Sequence, residues 1–158
     1  VVYIPVQDVM YAGTQVNTPK AFVSRKGQVK EIKTRPLKSD KSLTVVTSRR
    51  HGRESDSDLF ATLARYFNPI ETQTIGSSIK FCLVASGSAD LYPRLAPTSE
   101  WDTAAAQAVV ESAGGAVVDF SLEPLRYNEK SNILNPNFVV VGDKSFPLLT
   151  VLKDLPMK

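Results

Sequence analysis

The chain has 158 residues, 42% hydrophobic and 22% charged, with ten Pro and eight Gly, the profile of an ordinary globular domain and not of a disordered tail. Its longest apolar runs, residues 81–85 and 138–142, fall far short of the roughly 20 residues that cross a bilayer, and a lone cysteine, Cys82, excludes an internal disulfide. The net charge of +3 conceals a basic third: residues 20–53 carry eleven Lys or Arg against Glu31 and Asp40, which leaves the remainder acidic.

Residues 1–6, Val-Val-Tyr-Ile-Pro-Val, read as a strand already under way, with no charged-then-apolar leader before it. Residues 9–12, 21–23 and 29–32 continue as short strands parted by turn signals at Gly13, residues 17–19 and Lys26-Gly27, so an antiparallel meander is expected. After a polar linker at 36–41, residues 43–46 form a compact strand, and Leu59, Phe60, Leu63, Ala64 and Phe67 recur at helical spacing. A helix over 78–85, a strand over 90–94 and a helix over 101–113 follow, the last closed by Gly114-Gly115. Residues 116–120 and 138–142 read as strands, and 146–155 as a final helix. Strands first, then strands alternating with helices, predict an α+β or α/β fold. It divides into the end of an antiparallel sheet region over 1–40 and an α/β domain over 41–158.

Ser99 stands three residues before Asp102, the spacing of a capping box at a helix start, where the dipole also favours a carboxylate. Beside Thr98 and Ser99 the same carboxylate is suited to one ligand position on a hard cation such as Mg²⁺, although one carboxylate does not make a site. Gly76-Ser77-Ser78 precedes an apolar helix. It reads either as a Ser N-cap with Lys80 snorkelling from the core, or as an anion site in which Ser77 and Lys80 share a helix face. His51, the only histidine, follows a strand in a basic loop. The lack of a Gly-x-Ser-x-Gly elbow argues against a Ser-His-Asp triad. The basic third reads as a solvated face or as a polyanion-binding surface, and no aromatic residue interleaves with its charges between Arg25 and Arg53. Cys82 lies in an apolar segment, which fits a buried, inert thiol and a reducing compartment.

Trp101-Asp102-Thr103-Ala104-Ala105, with Gly114-Gly115, resembles the Mg²⁺-dependent inositol monophosphatase-like phosphatases. Residues 76–85 (Gly-Ser-Ser-Ile-Lys-Phe-Cys-Leu-Val-Ala), 90–94 (Asp-Leu-Tyr-Pro-Arg) and 134–138 (Leu-Asn-Pro-Asn-Phe) are similar to the bacterial 3'(2'),5'-bisphosphate nucleotidase branch. That branch removes a phosphate from adenosine 3',5'-bisphosphate in sulfate assimilation. The resemblance implies a layered sandwich, Asp102 as a Mg²⁺ ligand, and Ser77, Ser78, Lys80 and Arg94 as contacts to the phosphate that is not cleaved. It also implies His51 near the nucleotide, because the branch carries a similar Ser-Arg-x-His segment. The family's Glu cluster and Asp-Pro-x-Asp-Gly-Thr motif do not occur in this chain. The expectation is therefore a C-terminal portion, inactive alone, whose partner is the N-terminal half of the same enzyme. A small nucleotide bisphosphate is the expected substrate, with no nucleic acid and no transmembrane segment. The implied setting is cytoplasmic, with peripheral inner-membrane association as its alternative. The rival functions are inositol monophosphatase or fructose bisphosphatase activity, and a non-catalytic polyanion-binding module.

Overall fold

Four strands come first and each pairs with its neighbour in the chain: β1 (Val2–Ile4), β2 (Val9–Thr14), β3 (Lys20–Arg25) and β4 (Gln28–Ile32) form an antiparallel sheet in sequence order. The structure is a computed structural model and describes residues 1–38, 40–48 and 54–155. The strand expected over residues 1–6 stops at Ile4, because Pro5 offers no N–H to a ladder, and Pro5–Gln7 form a 3₁₀ turn instead. Lys26 and Gly27 take φ of 49° and 77°, which closes the two-residue hairpin between Arg25 and Gln28. Alternation then sorts the side chains. Val9, Tyr11, Ala21, Val23 and Ile32 are buried on one face, while register places Tyr3, Met10 and Val29 together on the other.

The second sheet is mixed. β5 (Leu43–Thr47), β6 (Ile70–Thr74), β7 (Leu91–Arg94), β8 (Ala116–Asp119) and β9 (Phe138–Val141) lie in the order β6-β5-β7-β9-β8. β5 runs parallel to β6 and β7, and β9 runs antiparallel to β7 and β8. Four helices are described: α1 (Glu54–Leu63), α2 (Ile79–Ala85), α3 (Glu100–Ser112) and α4 (Leu148–Lys153). Phe138 and Val140 of β9 join a core shared with α2, α3 and the antiparallel sheet, whereas Val139 and Val141 join a second core with Leu59 and Leu63 of α1 and Val151 of α4. This sandwich of strands and helices agrees with the expected α+β order.

α3 is the hub because it packs between the sheets. Ala106, Val109 and Val110 recur at helical spacing and are buried. A Cβ on Gly13 of β2 would stand 2.8 Å from the Val109 Cα, and one on Gly115 would stand 2.6 Å from the Val141 carbonyl oxygen. Both glycines therefore permit backbone approaches that a side chain would block. Cys82 is fully buried in the same core, and burial pushes its thiol up to about 12, as an inert cysteine requires.

Two elements depart from expectation. β6 was not foreseen, since Ile70 is the only apolar residue in Ile-Glu-Thr-Gln-Thr; its backbone pairs with β5 at the sheet edge. The helix expected to run to Phe67 ends at Leu63, yet Phe67 stays buried and stacks on Phe146 with centroids 5.2 Å apart. The 36–41 linker is preceded by a buried clamp. Arg35 donates from Nε and Nη2 to the Asp90 carboxylate at 2.6 and 2.7 Å, and the Thr44 N–H donates to Asp90 at 2.7 Å. Among the described residues, no helix is long and apolar enough to cross a membrane.

Candidate functional site

The parallel strands β5 and β7 end side by side, and open sheets of this kind place ligands beyond the carboxyl ends of their strands. Arg94 ends β7. Its Nη1 donates to the Ser48 hydroxyl just past β5 at 2.9 Å, Nε to the Ala96 carbonyl at 2.9 Å and Nη2 to the Pro97 carbonyl at 3.0 Å. The guanidinium thus fixes the turn that leads into α3. These three bonds and a contact with the Tyr92 hydroxyl take up most of the fork's five N–H groups, and its positive charge lines the pocket described below.

α3 begins immediately after that turn. Asp102 is exposed at its third position, and one carboxylate oxygen, Oδ2, accepts the Ser99 backbone N–H at 2.9 Å, the carboxylate arm of a capping box. Oδ1 makes no hydrogen bond among the described residues. Capping and lining a pocket coexist in this one side chain, because a pocket of about 330 Å³ is bounded by Ser77, Ser78, Arg94, Thr98, Trp101 and Asp102 over a floor of Phe81, Tyr92 and Phe138. The floor is an aromatic cluster with ring centroids 5.4 to 6.1 Å apart.

Lys80 lies below this pocket and does not line it. The expectation that Lys80 and Ser77 share a helix face is not met: α2 starts at Ile79, and Ser77 stands outside it in the left-handed region, φ 57°. Lys80 is 4% exposed. Its ammonium donates to the Ser77 carbonyl at 2.7 Å and the Ile75 carbonyl at 3.3 Å, and sits 4.9 Å above the Tyr92 ring centroid. Burial, with the Arg94 charge second, lowers its pKa to about 8. Lys80 therefore braces the turn that presents Ser77 and adds positive potential from beneath. His51 lies outside the described residues.

A hard cation fits this wall in part. Asp102 and the Thr98 hydroxyl are suitable oxygen donors, but no group of three or more His, Cys, Asp or Glu able to hold a metal occurs among the described residues. Thr98, adjacent to Ser99 in sequence, lines the pocket, and the segment that supports it lies far along the chain. Residues 133–135 run antiparallel against 98–100, with a Ser99–Leu134 bridge and backbone bonds from Glu100 N–H to the Ile133 carbonyl and Asn135 N–H to the Thr98 carbonyl, both 2.8 Å. The motif Leu134-Asn135-Pro136 was visible in sequence, but its partner was not.

Comparison with known proteins agrees with this architecture. The inositol monophosphatase family matches residues 1–146. The chain is 41% identical over 140 residues to the 3'(2'),5'-bisphosphate nucleotidase CysQ of Escherichia coli strain K12, covering 89% of this chain and 53% of that protein. It is 37% identical over 126 residues to the CysQ of Haemophilus influenzae, covering 79% and 45%. Among solved structures, CysQ from Bacteroides thetaiotaomicron, a bacterial member of the inositol monophosphatase family, superposes with a TM-score of 0.78 at 33% identity, over 90% of this chain and 56% of that one. An inositol monophosphatase from Zymomonas mobilis shares the fold, with a TM-score of 0.63 at 19% identity over 87% and 53%. The chain spans about half the length of the relatives it matches.

Proposed function

The chain belongs to the inositol monophosphatase family, and on that premise we propose that it forms part of a Mg²⁺-dependent phosphatase that removes the 3'-phosphate of adenosine 3',5'-bisphosphate. The observation that carries the reading is the convergence of Ser77, Ser78, Arg94 and Asp102 on one pocket. In this reading Asp102 is a metal ligand, and Ser77, Ser78 and the Arg94 guanidinium hold the phosphate that stays. Lys80 favours that anion from below, and His51 approaches the nucleotide as the family resemblance implies. When bound, the ion supplies polarisation of a phosphoryl oxygen. Residues 1–40 are read as the end of the antiparallel sheet region and 41–158 as the α/β domain of the same phosphatase fold. The rest of the enzyme packs on the outer face of the antiparallel sheet, where Tyr3, Met10 and Val29 are 54%, 40% and 68% exposed, and brings the missing carboxylates. A cytoplasmic place in sulfate assimilation belongs to the same proposal, with inner-membrane association as the alternative.

The test is Mg²⁺-dependent phosphate release by the full-length protein from adenosine 3',5'-bisphosphate, inositol monophosphate and fructose bisphosphate. The nucleotide is expected to be the preferred substrate, and equal or better turnover of either sugar phosphate overturns that choice. The 158-residue chain alone is expected to release none. Arg94→Ala should weaken the nucleotide's apparent affinity by roughly ten- to a hundredfold, the usual size of a lost charge-assisted contact, with a smaller effect on a monophosphate.

A further inference from the structure

We propose that Asn135 is a positioning residue that sets the cation-binding face of the pocket, through Thr98 and Ser99, without lining the pocket itself. Its side chain is 9% exposed, and Nδ2 stands 2.9 Å from the Ser99 carbonyl oxygen, 3.0 Å from the Thr103 hydroxyl and 3.2 Å from the Thr98 hydroxyl. Three acceptors surround two hydrogens. Oδ1 is buried and finds no partner among the described residues. The amide cannot be turned to relieve that acceptor, since an oxygen in the Nδ2 position would face the Ser99 carbonyl at 2.9 Å. Native structures seldom leave such a group unsatisfied, so the Nδ2 side is what the position is built around.

The consequences run in two directions. Ser99 is gripped on both of its backbone groups: its carbonyl by Asn135, and its N–H by the Asp102 carboxylate that it orients. Thr98 is the longest of the three contacts and shares an Nδ2 hydrogen with its neighbours, which leaves its own hydroxyl hydrogen for the pocket it lines. Thr103 is held from a third side. Its hydroxyl donates to the Glu100 carbonyl at 3.2 Å and accepts from Asn135 at 3.0 Å, which ties the first turn of α3 to the same amide. A residue that orients metal ligands through hydrogen bonds typically controls metal affinity by about 10- to 100-fold.

This inference rests on the reading of Asp102 as a cation ligand, and a binding measurement separates it from the proposed substrate. The experiment is calorimetric titration of Mg²⁺ into the full-length protein without nucleotide, for the parent, Asn135→Asp and Asn135→Ala. Asn135→Asp keeps size and shape but removes the donor. Both variants are expected to bind Mg²⁺ at least tenfold more weakly while melting cooperatively, with Mg²⁺ required at correspondingly higher concentration for half-maximal turnover and the substrate KM at saturating Mg²⁺ changed less. If neither folds, Thr103→Val, at a residue that also borders the pocket, removes one acceptor of the same network without loss of volume and is expected to weaken Mg²⁺ in the same direction. Unchanged Mg²⁺ affinity in the folded variants, or a parent that binds no Mg²⁺, overturns the inference. A parent that binds Mg²⁺ but does not prefer the nucleotide overturns only the substrate.

Discussion

Among the described residues the mixed sheet is covered on both faces, by α2 and α3 on one side and α1 and α4 on the other, whereas the antiparallel sheet is covered on one face, by α2 and α3. Their sequences carry this difference. β9 reads Phe-Val-Val-Val and is buried throughout, but β2 alternates buried and exposed positions from Val9 to Tyr11. The site lies at the strand ends of the doubly covered sheet. Fixed strands hold Arg94 and the turn before Asp102, while the other sheet offers α3 a backing and keeps an apolar face turned outward. Precision is concentrated where packing is complete, and the second sheet leaves Tyr3, Met10 and Val29 exposed on its outer face.

The contrast breaks most visibly at Asp90. The carboxylate is 3% exposed and accepts three hydrogen bonds from Arg35 and Thr44, so Asp90→Ala strands a charge and a backbone donor within the covered sheet. A loss of about 3 to 5 kcal/mol is expected in denaturant unfolding followed by circular dichroism. A loss below 1 kcal/mol would mean that the linker can abandon the clamp.

Asp102→Asn separates chemistry from packing at the end of the same sheet. Asn keeps a side-chain acceptor for the Ser99 N–H, so the melting temperature should hardly move. Turnover by the full-length enzyme should fall roughly 100- to 1,000-fold at subsaturating Mg²⁺, as expected for the loss of a charge-stabilising group. Near-normal turnover with a lowered melting temperature would reduce Asp102 to a helix cap.

Lys80 sharpens the comparison through pH. Its folded pKa of about 8 lies below the ordinary 10.5. Between those values the unfolded chain binds more protons than the folded one, so stability rises with pH across the window. Relative to Lys80→Met, the parent should gain on the order of 2 to 3 kcal/mol between pH 8 and 10.5. Parallel stability curves for the two proteins would show that the buried ammonium is not penalised.

The smallest effect belongs to the open face. Val29→Thr should change the stability of the 158-residue chain by less than about 0.5 kcal/mol, because the side chain is 68% exposed. In the full-length protein the same substitution should cost more, and identical values in both would argue that nothing packs there.

Legibility in the sequence follows the range of the interactions. β5, β9 and the start of α3 were readable because apolar runs and the Ser99–Asp102 spacing are local signals. β6 was not, because a polar edge strand is defined by the backbone of its neighbour. The residues Ser77, Ser78, Arg94 and Asp102 were legible one by one, but their meeting in one pocket depends on β7, α2 and α3 converging. Lys80 does not share a face with Ser77 because Ser77 is left-handed and the helix starts at Ile79. Asn135 lies in the legible motif at residues 134–138, but its contacts with Thr98, Ser99 and Thr103 are ones that only the fold creates.

Trp101 has an experimental consequence of its own. It is the single tryptophan of the chain, 73% exposed, and it stands at the rim of the pocket instead of in a core. Its emission in the native chain should already resemble that of tryptophan in water, so unfolding will change the colour of its fluorescence little. Occupancy of the adjacent space, by contrast, will alter both its quenching and its access to iodide. In this chain intrinsic fluorescence, ordinarily a thermometer of folding, is an optical reporter of the ligand.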